Sequence, residues 1–209
     1  MTPDMFARGV LADGLGLKGV VTGADFRFGH DRAGDAAMLG ELGERYGFTA
    51  RTADEIDDGG EKISSTAVRE AIQAGDVTRA RLLMDRPFIV EGVVRRGDQR
   101  GRVLGFPTAN IAFEDYVRPL PGVYAVRARL PGETQWRAGV ANAGKRPTVG
   151  GTDERLEVNI FDFEGDLYGL ELEVALEAFI RAEKRFDGLD ALKAQIGADC
   201  ETARQILNG

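Results

Sequence analysis

The 209-residue chain is 43% hydrophobic and 29% charged, with net charge −7, one Cys and one His. That balance is globular and supports a core without cross-links, while the lone Cys200 and His30 exclude a disulfide framework and a zinc site built from such ligands. No run approaches about 20 apolar residues, no basic-then-apolar leader follows Met1, and an acidic chain is a poor partner for nucleic acid. We therefore read a soluble protein of a reducing compartment, most simply the cytoplasm, with neither membrane nor nucleic-acid partners.

Thr2-Pro3 marks a helix start, with Phe6, Val10 and Leu11 at helical spacing. Residues 18–23 read as a short buried strand ended by Gly23, followed by a loop to Gly34. A helix is predicted from about Asp35 to Tyr46 and a strand from Phe48 to Ala53. Ser64 or Ser65 then caps a helix that Gly75 ends, and Asp76 starts another over Val77–Met84. This alternation suggests part of a doubly wound, Rossmann-like α/β layer.

After Arg86-Pro87 the period changes to alternation. Strands are expected over 88–95, 122–130, 135–142, 155–163 and 170–178; in the last, Leu170, Leu172, Val174 and Leu176 alternate with Glu171, Glu173 and Glu177. Short strands between Gly/Pro turns predict a small antiparallel β-barrel. A C-terminal helix, about 187–207, carries the stripe Leu189, Leu192, Ile196, Ala203, Leu207. The expected domains are 1–85 and 86–209. The 28 glycines, about twice the usual share, must serve turns and close backbone approaches.

Charge is uneven: residues 1–85 are net −5, whereas 86–110 hold five Arg against Glu91 and Asp98. That basic, glycine-containing stretch suits a small anion such as a nucleotide phosphate, or is a solvated loop. Next to it, Pro107 biases Phe106 towards extended backbone, so that Thr108 and Asn110 project to one side. Two neutral oxygens side by side suit Mg²⁺ completed by water and substrate phosphates; a turn satisfying its own backbone is the other reading. In Leu156-Glu157-Val158-Asn159-Ile160, Glu157 is either a general base or the exposed side of a strand. Asp25, Phe26 and Phe28 lie in a post-strand loop, where α/β sheets bind ligands, unless the rings anchor the loop. Ser64, Ser65, Thr66 and Arg69 at a helix start suit an anion, or plain capping.

The order of these segments in the chain resembles one family. Gly23-Ala24-Asp25-Phe26-Arg27-Phe28-Gly29, Ile63-Ser64-Ser65-Thr66-Ala67-Val68-Arg69, Arg86-Pro87-Phe88 and Gly105-Phe106-Pro107-Thr108-Ala109-Asn110 occur in the order of the bacterial bifunctional riboflavin kinase/FMN adenylyltransferase (FAD synthetase) family. Gly122-Val123-Tyr124, Arg146-Pro147-Thr148, Asp166-Leu167-Tyr168-Gly169 and Ile180-Arg181-Ala182-Glu183-Lys184-Arg185-Phe186 continue the likeness. The resemblance implies a kinase barrel that moves the ATP γ-phosphate to riboflavin, giving FMN. It implies Thr108 and Asn110 for Mg²⁺ and phosphates, and Gly92, Gly97 and Arg102 in the nucleotide-binding stretch. Glu157 would be the base, and Arg181, Glu183 and Phe186 would belong to the flavin pocket.

Residues 1–85 resemble the later part of the adenylyltransferase module, with Asp25, Phe26, Phe28, Ser64, Ser65, Thr66 and Arg69 as its residual site. The family's opening Gly-rich turn and His-x-Gly-His motif are not in this sequence, and Asn159 stands where relatives often carry His. We therefore expect a riboflavin kinase using ATP and Mg²⁺, with doubtful FAD synthesis. The alternatives are a fragment of a bifunctional enzyme and a flavin- or nucleotide-binding module without turnover.

Overall fold

The computed structural model describes residues 1–53, 57–58, 61–97, 101, 104–148 and 151–208. They divide into two compact units, Met1–Ile63 and Ser64–Gly209.

In the first unit, Thr2 caps a short helix α1 (Pro3–Met5), its Oγ1 accepting from Met5 N at 3.2 Å. The helix runs on as a π-helical stretch, Phe6–Ala12, before strand β1 (Gly19–Gly23). Two-residue strands β2 (Arg27–Phe28) and β3 (Gly34–Asp35) pair antiparallel and lead to helix α2 (Ala36–Tyr46). Asp35 caps α2, and Gly47, at φ 81°, ends it in the left-handed region that favours glycine. Strand β4 (Thr49–Ala53) then pairs in parallel with β1, the geometry a helical crossover allows. Ala7, Leu11, Phe28, Leu39, Leu42 and Phe48 form the core of this unit. A further two-residue pair, β5 (Asp57–Asp58) with β6 (Glu61–Lys62), follows.

The second unit begins with helices α3 (Ser65–Gln73) and α4 (Val77–Met84), capped by Ser64 and Asp76. Their buried Ala71, Ile72, Val77 and Ala80 belong to the same core as the strands that follow. The packing boundary therefore lies before Ser64, whereas the change of period in the sequence put it after Asp85. Helical spacing says that this segment is helical, not which neighbour covers its apolar side.

Six strands follow: β7 (Phe88–Val93), β8 (Ala109–Ala112), β9 (Gly122–Arg129), β10 (Arg137–Thr148), β11 (Gly151–Ile160) and β12 (Glu171–Ala182). They form one antiparallel sheet in the order β7-β12-β9-β10-β11-β8. Beyond β7, Arg95 N–H donates to Asn110 O at 2.9 Å, joining the two edges into a near-closed barrel. Gly92 permits this closure, because a Cβ there would lie 2.7 Å from Ile111 Cγ2.

Val90, Ile111, Tyr124, Val126, Leu156 and Leu172 fill the barrel. On the outer face, Val123, Ala125, Val140 and Phe161 pack under Cys200, Ala203 and Leu207 of the C-terminal helix α5 (Leu189–Asn208). Strand β9 is consequently covered on both faces, and reads as the continuous apolar run Val123-Tyr124-Ala125-Val126. Strand β8 was not foreseen as a separate element: its four residues are too few to show a period.

Candidate active site

The site is assembled by strand register. Across successive pairs, Asn110 of β8 lies opposite Glu157 of β11, Glu157 opposite Asn142 of β10, Asn142 opposite Val123 of β9, and Val123 opposite Arg181 of β12. Directly opposed residues in an antiparallel pair share a face, with Cβ atoms about 4.5–5.5 Å apart. Residues up to 71 positions apart in the chain, from Asn110 to Arg181, thus form one row on the outer face.

Two bulges in β12 make the last step possible. Phe179 lies opposite Tyr124, and their rings meet edge-on with centroids 5.2 Å apart. In a regular strand Arg181 would share the face of Phe179; the bulge between them turns it outward, beside Val123.

The row floors a cavity of about 410 Å³, of a size that holds a drug-sized ligand. Thr108, Asn110, Arg155 and Glu157 lie at its polar end, and Phe106, Val123, Val140, Phe186, Leu192 and Ile196 supply apolar wall. Asn110 is 8% exposed, and its Oδ1 accepts from Arg155 Nη1 at 3.3 Å. Gly97 makes room for this side chain, since a Cβ there would come within 2.7 Å of Asn110 Oδ1. Asn159, which lines the same cavity, donates from Nδ2 to Pro107 O at 2.7 Å and so holds the backbone just before Thr108. A smaller cavity of about 70 Å³, lined by Pro107, Phe163, Asp166 and Tyr168 among others, shares Thr108 with the larger one. The Arg96 guanidinium stands 4.9 Å from the Tyr168 ring centroid.

At the other end, Arg181 Nε and Nη2 donate to both oxygens of Asp199, at 2.7–3.1 Å, and Nη1 donates to Ala182 O at 2.9 Å. Gln195 Nε2 also donates to Asp199 Oδ1, at 2.8 Å. Phe186 is near two cations, with Arg181 at 5.8 Å and Lys184 at 5.3 Å from its ring centroid. Glu183 is exposed and accepts from Asn142 Nδ2 at 3.4 Å. Behind this wall, burial pushes the Cys200 thiol above its ordinary pKa, and the neighbouring Asp199 carboxylate adds to the shift.

Of the residues singled out in the sequence, Thr108, Asn110, Glu157, Arg181, Glu183 and Phe186 line this one cavity. Gly97 stands against Asn110, whereas Gly92 serves barrel closure on the inner side. Arg102 lies outside the described residues. Asp25, Phe26 and Phe28 belong to the first unit, where Phe28 is core and stacks on Phe26 at 5.5 Å. Ser64 spends its hydroxyl on the α3 cap, accepting from Ala67 N at 3.1 Å, while Ser65, Thr66 and Arg69 follow on that helix. Sequence reasoning missed Asn142, Arg155 and Asp199. A signal existed for Asp199 alone, as an acid beside Ile196, Cys200 and Ala203 on an apolar helix face.

Among known proteins, residues 84–207 match the riboflavin kinase family and residues 1–67 the FAD synthetase family. The bifunctional riboflavin kinase/FMN adenylyltransferase of Escherichia coli (strain K12) is 44% identical over 206 residues, covering 99% of this chain and 66% of that protein. The protein of the same name from Bacillus subtilis (strain 168) is 37% identical over 197 residues, covering 91% and 60%. The chain thus spans about two thirds of the length of the curated relatives it matches. The crystal structure of a macrolide-efflux protein from Streptococcus pneumoniae is similar with a TM-score of 0.80 and 35% identity, over 98% of this chain and 65% of that one. Here, among the described residues, no helix is long and apolar enough to cross a membrane. The riboflavin kinase match takes in every residue lining the larger cavity and more than half of the chain, so the protein belongs to the riboflavin kinase family, joined to part of an FAD synthetase region.

Proposed function

We propose that the barrel unit transfers the γ-phosphate of ATP to the ribityl 5′-hydroxyl of riboflavin, giving FMN and ADP. The observation that carries this reading is the cross-strand row, which gathers Asn110, Glu157 and Arg181 on one face of a cavity that also holds Thr108. The apolar walls of Phe106, Val123, Val140 and Phe186 suit a flat, uncharged ring system, and the polar end suits a phosphate. Thr108 lines both cavities, so a phosphate held at the polar end of the larger one stays open to the smaller.

Phosphoryl transfer asks the protein chiefly for positioning and charge compensation. Glu157 accepts the proton of the ribityl hydroxyl, whose oxygen bonds to the γ-phosphorus as the bond to the ADP oxygen breaks. Arg155, beside Asn110, faces the phosphate charge as it spreads over the transferred group. Asn159, by holding Pro107, keeps Thr108 directed at the same place.

Thr108 and Asn110 bring neutral oxygens that suit Mg²⁺, with Gly97 leaving room for the Asn110 amide; Asn110 Oδ1 accepts from Arg155 Nη1 at 3.3 Å and would turn from that guanidinium to take the cation. A site of two neutral oxygens needs the substrate phosphates to complete it, as is usual for this cation. Held by Thr108 and Asn110, Mg²⁺ would supply charge compensation for the substrate phosphates. The cytoplasm, where ATP is abundant and thiols stay reduced, suits this reaction and the free Cys200.

A second reading, supported by the match of residues 1–67 to FAD synthetase, is that the chain is part of a bifunctional enzyme. Incubation with riboflavin, ATP and Mg²⁺ followed by chromatography of the flavins tests both. FMN alone supports the kinase reading, and FMN with FAD supports the bifunctional one. Riboflavin bound but unchanged would reduce the protein to a flavin-binding module and overturn both.

A further inference from the structure

We infer that Asp199, on the C-terminal helix, is a positioning residue for the flavin end of the cavity, acting through Arg181 and Phe186. The inference rests on the kinase reading and extends it to a residue outside the reacting groups.

Among the described residues, Asn110 and Asp199 are the two buried polar or charged side chains, at 8% and 4% exposure, and both line the same cavity. A buried carboxylate is costly unless paired and fully hydrogen-bonded. Asp199 meets that condition: Oδ1 accepts from Arg181 Nε and Gln195 Nε2, and Oδ2 from Arg181 Nη2 at 2.7 Å. The fork-to-fork geometry fixes a plane as well as a distance. With Nη1 donating to Ala182 O, each nitrogen of the guanidinium is held by the protein.

Arg181 is therefore engaged as a strut before any ligand arrives. It stands at the end of β12, where the bulge has turned it outward, and it backs the Phe186 ring. Gln195 extends the same network, because its Oε1 accepts from Lys184 Nζ, whose ammonium lies 5.3 Å from the centroid of the same ring. The segment 181–186 has no strand partner beyond Ala182, so these side chains tie it to α5. Asp199 also cancels the charge of Arg181, leaving the flavin end of the cavity balanced for an uncharged ring. The polar end, by contrast, is left to the phosphate.

This predicts a split in kinetic effects. Asp199→Asn keeps the shape and removes the charge; Asp199→Glu keeps the charge and displaces it. Riboflavin binding is read by quenching of flavin fluorescence, alongside kcat, the KM for MgATP, and the melting temperature without ligand. Each folded variant is expected to bind riboflavin about tenfold more weakly, a loss equivalent to about 1.4 kcal/mol. The KM for MgATP and kcat at saturating riboflavin should stay within a few-fold of wild type. Gln195→Met, which spares the ion pair, should move riboflavin affinity in the same direction by less.

Unchanged riboflavin affinity in a folded Asp199 variant would overturn the inference. So would equal losses in riboflavin affinity, MgATP KM and kcat, and so would failure of both Asp199 variants to fold, which would make the pair a folding element. A wild-type protein that binds no riboflavin would instead overturn the kinase reading itself.

Discussion

The two units differ in how their sheets are completed. In the barrel unit, six strands run from edge to edge and the edges meet at Arg95 and Asn110, so residues across five strands acquire fixed neighbours. In the first unit, β1 and β4 form a two-stranded parallel pair; none of their residues is buried, and Val21 is 66% exposed. Parallel strands are ordinarily covered on both faces. A nearly closed sheet can hold several side chains in register over a cavity, while a two-stranded pair supplies loop ends and little else. Chemistry should follow closure.

The largest test of that contrast is a product. With FMN, ATP and Mg²⁺ supplied, these 209 residues should yield no FAD or pyrophosphate under conditions in which riboflavin is converted to FMN. Of the candidates in the first unit, Phe26 and Phe28 are stacked on each other, and Ser64, the first residue of the second, is committed to a cap. Robust FAD formation would break the comparison.

Within the barrel, Glu157→Gln should lower kcat about 10²–10⁴-fold, the usual contribution of a general base, with riboflavin affinity retained. Near-normal turnover in the folded variant would return Glu157 to the solvated side of a strand. Asn110→Ala or Thr108→Ala should raise the KM for MgATP by about tenfold, or about 1.4 kcal/mol, read from initial rates at varied MgATP. An unchanged MgATP dependence in both would make this pair turn-formers.

A smaller effect belongs to Asn159, whose bond to Pro107 steadies Thr108. Asn159→Ala should raise the KM for MgATP by less than Asn110→Ala, about one hydrogen bond's worth, or ~1 kcal/mol. The smallest is a pH effect at Cys200. Because burial raises its folded-state pKa, the stability that comes from keeping the thiol neutral is fully present below its ordinary pKa. That stability is lost as pH rises through the raised value. Thermal melts from about pH 7 to 10, spanning the ordinary thiol range, should show wild type losing slightly more stability than Cys200→Ala. Identical pH profiles would remove this contribution.

Much of the architecture was legible because it is local. Thr2, Asp35, Ser64 and Asp76 cap the helices they precede, and Gly47 and Gly75 sit at positive φ just beyond helix ends. The strand over 170–178 was legible by alternation, but its continuation to Ala182 was hidden by the two bulges, which break that alternation at Glu177 and again at Ile180. The apolar stripe of α5 was visible too, yet it has three fates. Ala203 and Leu207 pack on the barrel, Leu192 and Ile196 face the cavity, and Leu189 is 69% exposed.

The sequence by itself determined which residue types were on offer: a Thr108/Asn110 pair two apart, a Glu157 on an alternating strand, an Arg181 shortly before Phe186. Periodicity and capping act over a few residues, so they can be read without a partner. Only the tertiary structure decided that Asn110, Glu157, Asn142 and Arg181 share a row, that a bulge turns Arg181 out of the barrel, and that Asp199 reaches it from a helix 18 positions away. The physical reason is register. A shift of one residue in any strand pair sends every side chain of that strand to the opposite face, and local pattern cannot choose among such shifts. Here that choice is made by closure of the sheet, where Gly92 lets Ile111 approach and Arg95 joins Asn110.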